Sequence, residues 1–370
     1  MNTRTCATED WPALAGILER CFNVPIDKWE LFRDRIGIAN FRVIENSGRL
    51  VGGLGVYRVG QCFGGRAVTM GGLAAVGVAP EDRGHGIAAR LVADSLRWLR
   101  EEGTPISSLY ASTQTLYRSV GYEHAGNRLQ YSLPLGAIGM REHDLEVVSC
   151  GQSEIEGLYR PANGNLVRDA ALWDRLLKPA GGAAFAVRVG DEGYAVWHLD
   201  RAENHYHCTV RDWAAHTAAA GRRLWTFFAD QRSIGKDLRW YGPASDPMIL
   251  LTPEHGWTVL RFDRWMLRIL DVGAALTARG WAMDGEVGLE IHDVGIPENA
   301  GRWWLRVKDG AAEVSRGGPG ELRLDIRGLA PLYSGLHDAH TLQRMGWLEG
   351  DSKCAQGLFA LPEPWMPEMF

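Results

Sequence analysis

Arg83-Gly84-His85-Gly86-Ile87-Ala88 is the stretch of this chain whose residue types and spacing speak most directly of chemistry. An apolar run, VGVAP, leads into it and an amphipathic run, IAARLVADSLRWL, leads out of it. That layout predicts strand, glycine loop and helix. The first N–H groups of a helix lack intrahelical partners and sit at the positive end of its dipole, so such a loop can hold an anion. Gly84 and Gly86 let the backbone approach a ligand closely. A P-loop would need GxxxxGK[ST], which is absent, and a dinucleotide fingerprint would need a third glycine where this chain has Ala89. A glycine pair before a helix also serves as a plain turn. The strand before the loop, the helix after it and the segment TLYRSVGY further on favour a binding loop. His205, Tyr206, His207 and Cys208 are the other chemically suggestive group. Alternate residues of a strand share a face, so the two histidines lie together and Cys208 lies opposite. No further ligand stands at diagnostic spacing, and no metal is expected. His337 and His340 fit one helix face but lack an acidic partner.

These residues need a scaffold. A helical stretch is expected over 8–37, opening on Thr8, with Leu14, Ile17, Leu18 and Phe22 at helical spacing. Alternating apolar residues from 41 to 78, broken at Asn46-Ser47-Gly48 and Gly64-Gly65, predict an antiparallel meander. The helix after the glycine loop runs on to about residue 102. A short strand in PISSLYAS, a short helix in TQTLYRSV and a strand in HAGNRLQYSLPL complete an α/β unit over 1–135. Residues 136–265 repeat part of this rhythm without a glycine loop: strands in GGAAFAVRVGDEGYAVWHL and ENHYHCTVRDWAA, then a helix in HTAAAGRRLWTFFADQRS. A third unit, 266–370, opens on a short helix in DVGAALTARGW. Strand-like runs follow, and the unit closes on the tail LPEPWMPEMF.

A chain of 370 residues exceeds one ordinary core, in keeping with several domains. With 46% hydrophobic and 23% charged residues it reads as a soluble globular protein. A net charge of −5 argues against nucleic acid as the partner, because a phosphate backbone calls for a concentrated basic face. No apolar run approaches the roughly 18 residues of a membrane helix, and MNTRTCATEDW lacks the apolar core of a signal peptide. The six cysteines have no CxxC spacing and read as reduced thiols, so a cytoplasmic enzyme is expected. Twelve of the fifteen tryptophans lie at or beyond Trp173, which predicts extensive packing between domains or subunits.

Arg83-x-x-Gly86-x-Ala88 resembles Arg/Gln-x-x-Gly-x-Gly/Ala, the pyrophosphate loop of the GNAT acyltransferase superfamily. The resemblance implies that Arg83, Gly84, His85, Gly86, Ile87 and Ala88 hold the pyrophosphate of coenzyme A. It implies too that the backbone of Val76 and Val78 pairs with the pantetheine arm, that Ser112 also contacts the cofactor, and that the acyl group lies where this strand splays from 106–111. Tyr117, in TLYRSVGY, stands where the superfamily keeps its general acid. A phenol with a pKa near about 10 suits a thiolate leaving group. Tyr122 reads as a packing residue. No base is evident nearby: Glu123 and His124 sit at a strand entrance, and Glu81 and Asp82 decorate the loop.

The whole chain resembles the enhanced intracellular survival (Eis) family of acetyltransferases. The resemblance is carried by VGVAPEDRGHG, LYASTQTLYRSVGY, WMLRILDVGAALTARGW with GEVGLEIHD, NAGRWWLRV and the tail PWMPEMF. It implies two GNAT folds, the second without a usable cofactor loop, followed by a sterol-carrier-protein-like α/β domain. It also implies an acetyl-CoA-dependent N-acetyltransferase that works without metal, and a homo-oligomer, a hexamer of two trimers. In that family the chain terminus is threaded into the first domain's active site, which makes the Phe370 carboxylate the base. Such a carboxyl, with a pKa near about 3.5, is a weak acceptor for an ammonium near about 10.4 unless burial alters one of them. Pro362, Pro364 and Pro367 stiffen the tail, and Trp365, Met366, Met369 and Phe370 offer apolar anchors. The resemblance places the acceptor beside the first helices, at Phe22, Asp27 and Trp29, of which the two aromatics serve equally well as core. Polyamine-like, aminoglycoside-like and lysine-type amines are the implied acceptors. A non-catalytic acyl-CoA- or lipid-binding protein and a protein-lysine acetyltransferase stay open as alternatives.

Overall fold

A computed structural model describes residues 1–179 and 184–370. The first unit runs β1 (Asn2–Thr5), α1 (Trp11–Phe22), α2 (Ile26–Ile36), β2 (Phe41–Asn46), β3 (Arg49–Phe63), β4 (Arg66–Val78), α3 (Ile87–Glu101), β5 (Ile106–Tyr110), α4 (Gln114–Ser119) and β6 (Glu123–Pro134). The second runs β7 (Val147–Ser149), α5 (Gln152–Leu158), β8 (Leu166–Val167), α6 (Ala170–Leu177), β9 (Phe185–Val189), β10 (Gly193–Arg201), β11 (Tyr206–Ala215), α7 (Ala218–Ala229), β12 (Gly235–Gly242) and β13 (Thr258–Ile269). The third runs α8 (Val272–Ala278), β14 (Gly285–His292), β15 (Gly301–Lys308), β16 (Ala311–Arg316), β17 (Leu322–Asp325), α9 (Ile326–Ser334), α10 (Ala339–Arg344), β18 (Glu349–Gly350) and α11 (Lys353–Leu358). Residues 181–183, the start of the strand expected in GGAAFAVRV, lie outside the described residues.

The helical stretch expected over 8–37 is two helices. Asn23, at φ 53°, ends the first, and Pro25 caps the second; Thr8 lies in a short 3-10 turn before α1. Among the described residues thirteen strands form one sheet, ordered β1-β2-β3-β4-β5-β13-β6-β12-β11-β10-β9-β7, with β8 against β3. Strand β13 therefore lies between β5 and β6, antiparallel to both, and β6 pairs on its other side with β12. The physical cause is burial on both faces: Trp265, Met266, Leu267, Ile269 and Leu270 are wholly buried, as befits a central strand. The boundary expected at 265 falls inside β13, and the sheet runs unbroken past residue 135.

The second sheet, β16-β15-β14-β17-β18, belongs to the third unit. Its apolar face shares a core with the first unit, where Phe63, Met70 and Ile106 join Leu289, Leu329 and Tyr333. The indoles distribute differently from expectation. Trp197, Trp213, Trp225 and Trp240 form the second unit's own core, and Trp265 and Trp281 sit where the first and third units meet. Among the described residues no helix is long and apolar enough to cross a membrane.

Candidate active site

The site begins where β4 and β5 part. They pair in parallel only at Met70–Ile106, Gly71–Ser107 and Gly72–Ser108. Further along β4, Ala75 and Val76 together oppose Leu54 of β3, a β-bulge that puts Ala75 at φ 53°. The bulge turns β4 away from β5, so the β5-side edge of residues 73–78 has no strand beside it. Val76 is half-buried and Val78 buried. The Val78 carbonyl accepts from Cys21 Sγ at 3.2 Å and from Arg83 Nε at 3.3 Å.

Beyond β4 the chain turns through Gly84 and Gly86, at φ 83° and 74°, a region open to glycine and costly for other residues. A side chain at either glycine would meet nothing within 4 Å, so the loop faces open space. Helix α3 starts without a side-chain cap, and the N–H groups of residues 84–89 find no acceptor among the described residues. Six free donors at the head of a four-turn helix form an anion cradle. Arg83 and His85 lie exposed on its rim, while Ile87 is buried and Ala88 half-buried in the helix face beneath. The second unit has the same layout, with β11 and β12 parallel and α7 following β11. There Thr217 caps the helix itself, accepting from the Ala220 N–H at 3.2 Å. That difference is legible in HTAAAG against RGHGIA.

Tyr117 lies buried among Leu109, Tyr122 and Met266, in the cluster that also holds Val78 and Ile87. Its hydroxyl has no hydrogen-bond partner among the described residues, and burial pushes its pKa up to about 12. Tyr122, at 5.9 Å ring to ring, is fully engaged: its hydroxyl meets Ser107 Oγ at 2.6 Å, which in turn donates to the Gly71 carbonyl.

The tail reaches this splay. The Asn127 N–H donates to the Pro364 carbonyl, and Asn163 and Asn165 side chains donate to the Pro362 and Trp365 carbonyls. Tyr110 donates to the Met366 carbonyl at 2.8 Å, and Arg175 to the Met369 carbonyl. The Phe370 ring then lies 5.4 Å from that of Tyr57 on β3, and its edge comes within 2.7 Å of where Gly72 would carry a side chain. Only glycine at 72 leaves room for it.

Glu363 anchors the approach, with its carboxylate accepting from the N–H groups of Ala244 and Ser245, from Ser245 Oγ and from Asn127 Nδ2. Burial raises its pKa, but these four donors outweigh burial and hold it below the usual carboxylate value. Its contribution to folding is therefore present above the unfolded pKa of about 4.3 and fades as pH falls through the folded value. Glu363→Ala is expected to cost about 1–3 kcal/mol at pH 7 and to speed carboxypeptidase release of the last residues, read by denaturant unfolding and mass spectrometry.

The remaining predicted positions are dispersed. Phe22 is exposed at the end of α1 and reaches within 3.6 Å of a side chain at Gly77, beside the free edge of β4. Trp29 is buried, its ring 5.4 Å from Phe22 and its N–H donating to the Val24 carbonyl, so it backs Phe22 without offering a face of its own. Asp27 is exposed and pairs with Lys28 at 3.6 Å. Ser112 is exposed on a cavity of about 630 Å3 shared with His124, Asp263 and Met369. Glu123 is locked between Arg118 and Arg327. His207 lies 3.0 Å from Asp237 while Cys208 is buried on the opposite face. Sequence reasoning missed Tyr57, Gln61 and Tyr110. The signal available was polarity in apolar strands: Gln61 in VGQCF and Ser108 in ISSLY are buried, Ser108 donating to Gln61 and Gln61 to the Gly164 carbonyl and to Met366 of the tail.

Three family models cover most of the chain: GNAT acetyltransferase domains over residues 2–125 and 164–269, and a sterol carrier protein domain over 272–367. N-acetyltransferase Eis of Mycobacterium tuberculosis is 30% identical over 293 residues, 73% of this chain and 72% of that protein. The chain belongs to the Eis family of N-acetyltransferases. A GCN5-related N-acetyltransferase from Anabaena variabilis, 35% identical, superposes over all of both chains with a TM-score of 0.96. One from Kribbella flavida, 29% identical, covers 100% of this chain and 98% of its own at a TM-score of 0.89. The Eis-family architecture accordingly stands as tandem GNAT folds followed by a sterol-carrier-like domain, and the protein is an N-acetyltransferase. GNAT enzymes use acetyl-CoA, and the open cradle at 84–89 suits its phosphates.

Proposed function

We propose that this Eis-family enzyme transfers acetyl from acetyl-CoA directly to a primary amine of a small polyamine, aminoglycoside-like or lysine-type acceptor. The observation that carries the reading is that a cradle and a phenol, both without partners among the described residues, and the end of the tail gather about the β4–β5 splay. In this reading residues 83–88 hold the diphosphate, the free edge at Val76 and Val78 holds the pantetheine amides, and Ser112 also contacts the cofactor. The amine nitrogen attacks the thioester carbonyl, and a C–N bond forms as the C–S bond breaks. Tyr117 donates to the departing sulfur, and the carboxylate of Phe370 relays the proton lost by the amine towards water. Phe22, backed by Trp29, and Asp27 flank the acceptor. The three sequence units 1–135, 136–265 and 266–370 then act as one catalytic body, the second and third seating the tail.

Thiol release from acetyl-CoA across a panel of amines and lysine peptides tests this. Amine-dependent release is expected, stronger with small amines; a melting shift with acetyl-CoA but no release with any acceptor would overturn it in favour of a binding protein. Gly86→Ala is expected to cost about 1 kcal/mol of stability and to raise the acetyl-CoA KM about 10-fold, because φ near 74° is strained for alanine and the methyl group intrudes on the cradle. Thermal unfolding and donor-titrated kinetics read the two effects.

A further inference from the structure

Beside the end of the tail lies a cavity of about 440 Å3, within the size range of small-molecule sites. Arg128, Arg168, Arg175 and Arg211 line it, together with Glu368 and Met369 of the tail and Asp200, whose carboxylate accepts from Thr209 at 2.5 Å and meets His198 at 3.1 Å. Two of these guanidiniums are neutralised or covered. Arg168 bonds Asp212 at 2.5 Å and Glu368 at 2.6 Å, while Arg128 lies 3.6 Å from Asp263 with the Tyr241 ring against it. Arg175 and Arg211 have no carboxylate within 4.0 Å among the described residues. Among the described residues Arg211 donates only to the Arg175 carbonyl, at 3.3 Å, while Arg175 donates to the Met369 carbonyl and lies against the Tyr57 hydroxyl. Arg211 Nε and Arg175 Nη1 are buried without a partner.

Two half-buried cations side by side without a counter-charge are unfavourable, since burial and like charge both oppose them. The strain registers on Arg211, whose pKa is lowered first by burial and then by the charges of Arg175, Arg128 and Arg35. A planar guanidinium pair of this kind is suited to carboxylate or phosphate. The cavity is also adjacent to the chemistry. Met369 forms part of its wall one residue before Phe370, and Arg175 stands beside Tyr57, on which the Phe370 ring packs.

We infer that this cavity receives an anionic group, a carboxylate or phosphate, carried by the acceptor amine, with Arg175 and Arg211 as its ligands. The inference rests on the acetyl-transfer reading and narrows it: the preferred acceptor is an amine with a negative charge at its other end, and a purely cationic polyamine is disfavoured.

Matched pairs separate the two, cadaverine with lysine and ethanolamine with O-phosphoethanolamine, assayed by thiol release with the full-length enzyme. In at least one pair kcat/KM is expected to be about 10- to 100-fold higher for the anion-bearing member, the factor a charge-assisted pair supplies. Arg211→Gln should bring that ratio close to one, and Arg211→Lys should restore part of it. A native ratio of one or less in both pairs, or an Arg211→Gln variant that weakens both members equally, would overturn the inference while leaving acetyl transfer intact. Calorimetric titration with lysine and O-phosphoethanolamine is the second readout. Binding that Arg211→Gln weakens, without thiol release from any amine, would keep the anion site and discard the acetyl-transfer reading. Failure of both anions to bind or to be preferred would discard the site.

Discussion

Adding one glycine after Phe370 is expected to lower amine-dependent thiol release at least about 100-fold while the melting shift induced by acetyl-CoA persists. The expectation follows from how tightly the tail's end is held. Carbonyls of Pro364, Trp365, Met366 and Met369 are each taken by a donor from the first or second unit, so the tail has no slack to absorb an extra residue. The Phe370 ring fills space that only the absent side chain of Gly72 leaves, against Tyr57. One residue shifts a carboxylate by up to about 3.8 Å, more than a hydrogen bond tolerates. The donor cradle at the head of α3 makes no hydrogen bond with the tail among the described residues and keeps its free N–H groups. Unchanged turnover in the extended chain would remove the Phe370 carboxylate as base. The remaining carboxylates are poorly placed for that duty, since Glu123 is tied to two arginines and Asp27 stands exposed beside Lys28.

Tyr117→Phe should reduce kcat by about one to three decades with little change in the KM for acetyl-CoA. Because the hydroxyl has no partner among the described residues, its removal leaves none of them unsatisfied, and the melting temperature should hold. A pKa near 12 keeps the phenol protonated across any practical assay range, so Tyr117 serves as a donor to the developing thiolate. The basic limb of the native pH–rate profile should therefore show no ionisation attributable to Tyr117 below about pH 10. Tyr122→Phe is the contrasting variant. It strands Ser107 Oγ between Gly71 and an empty position and should lower stability with a smaller effect on kcat. Equal kcat losses in the two variants would count against Tyr117 as the specific donor.

The cradle and the phenol were readable because their signals are local. Gly84 and Gly86 mark positive φ, the apolar run before them marks a strand, and the amphipathic run after them marks a helix, so residues close in sequence already compose the anion site. The tail was readable as apolar and proline-stiffened, and its destination came from resemblance to a family; its hydrogen bonds to Asn127, Asn163 and Tyr110 span more than one hundred residues and leave no trace in local pattern. The same distance hid β13, whose continuous apolar run is as compatible with closing the second unit as with entering the first unit's sheet. Which of these happens is decided by burial on both faces between β5 and β6. It also hid the arginines beside the tail. Arg128, Arg168, Arg175 and Arg211 are unremarkable one at a time and become a charged cavity only when β6, β11 and the chain around α6 converge. Local backbone preference and hydrophobic period are properties of short segments, whereas strand order and the pairing of buried charges depend on which distant surfaces exclude water together, and that is settled only by the folded chain.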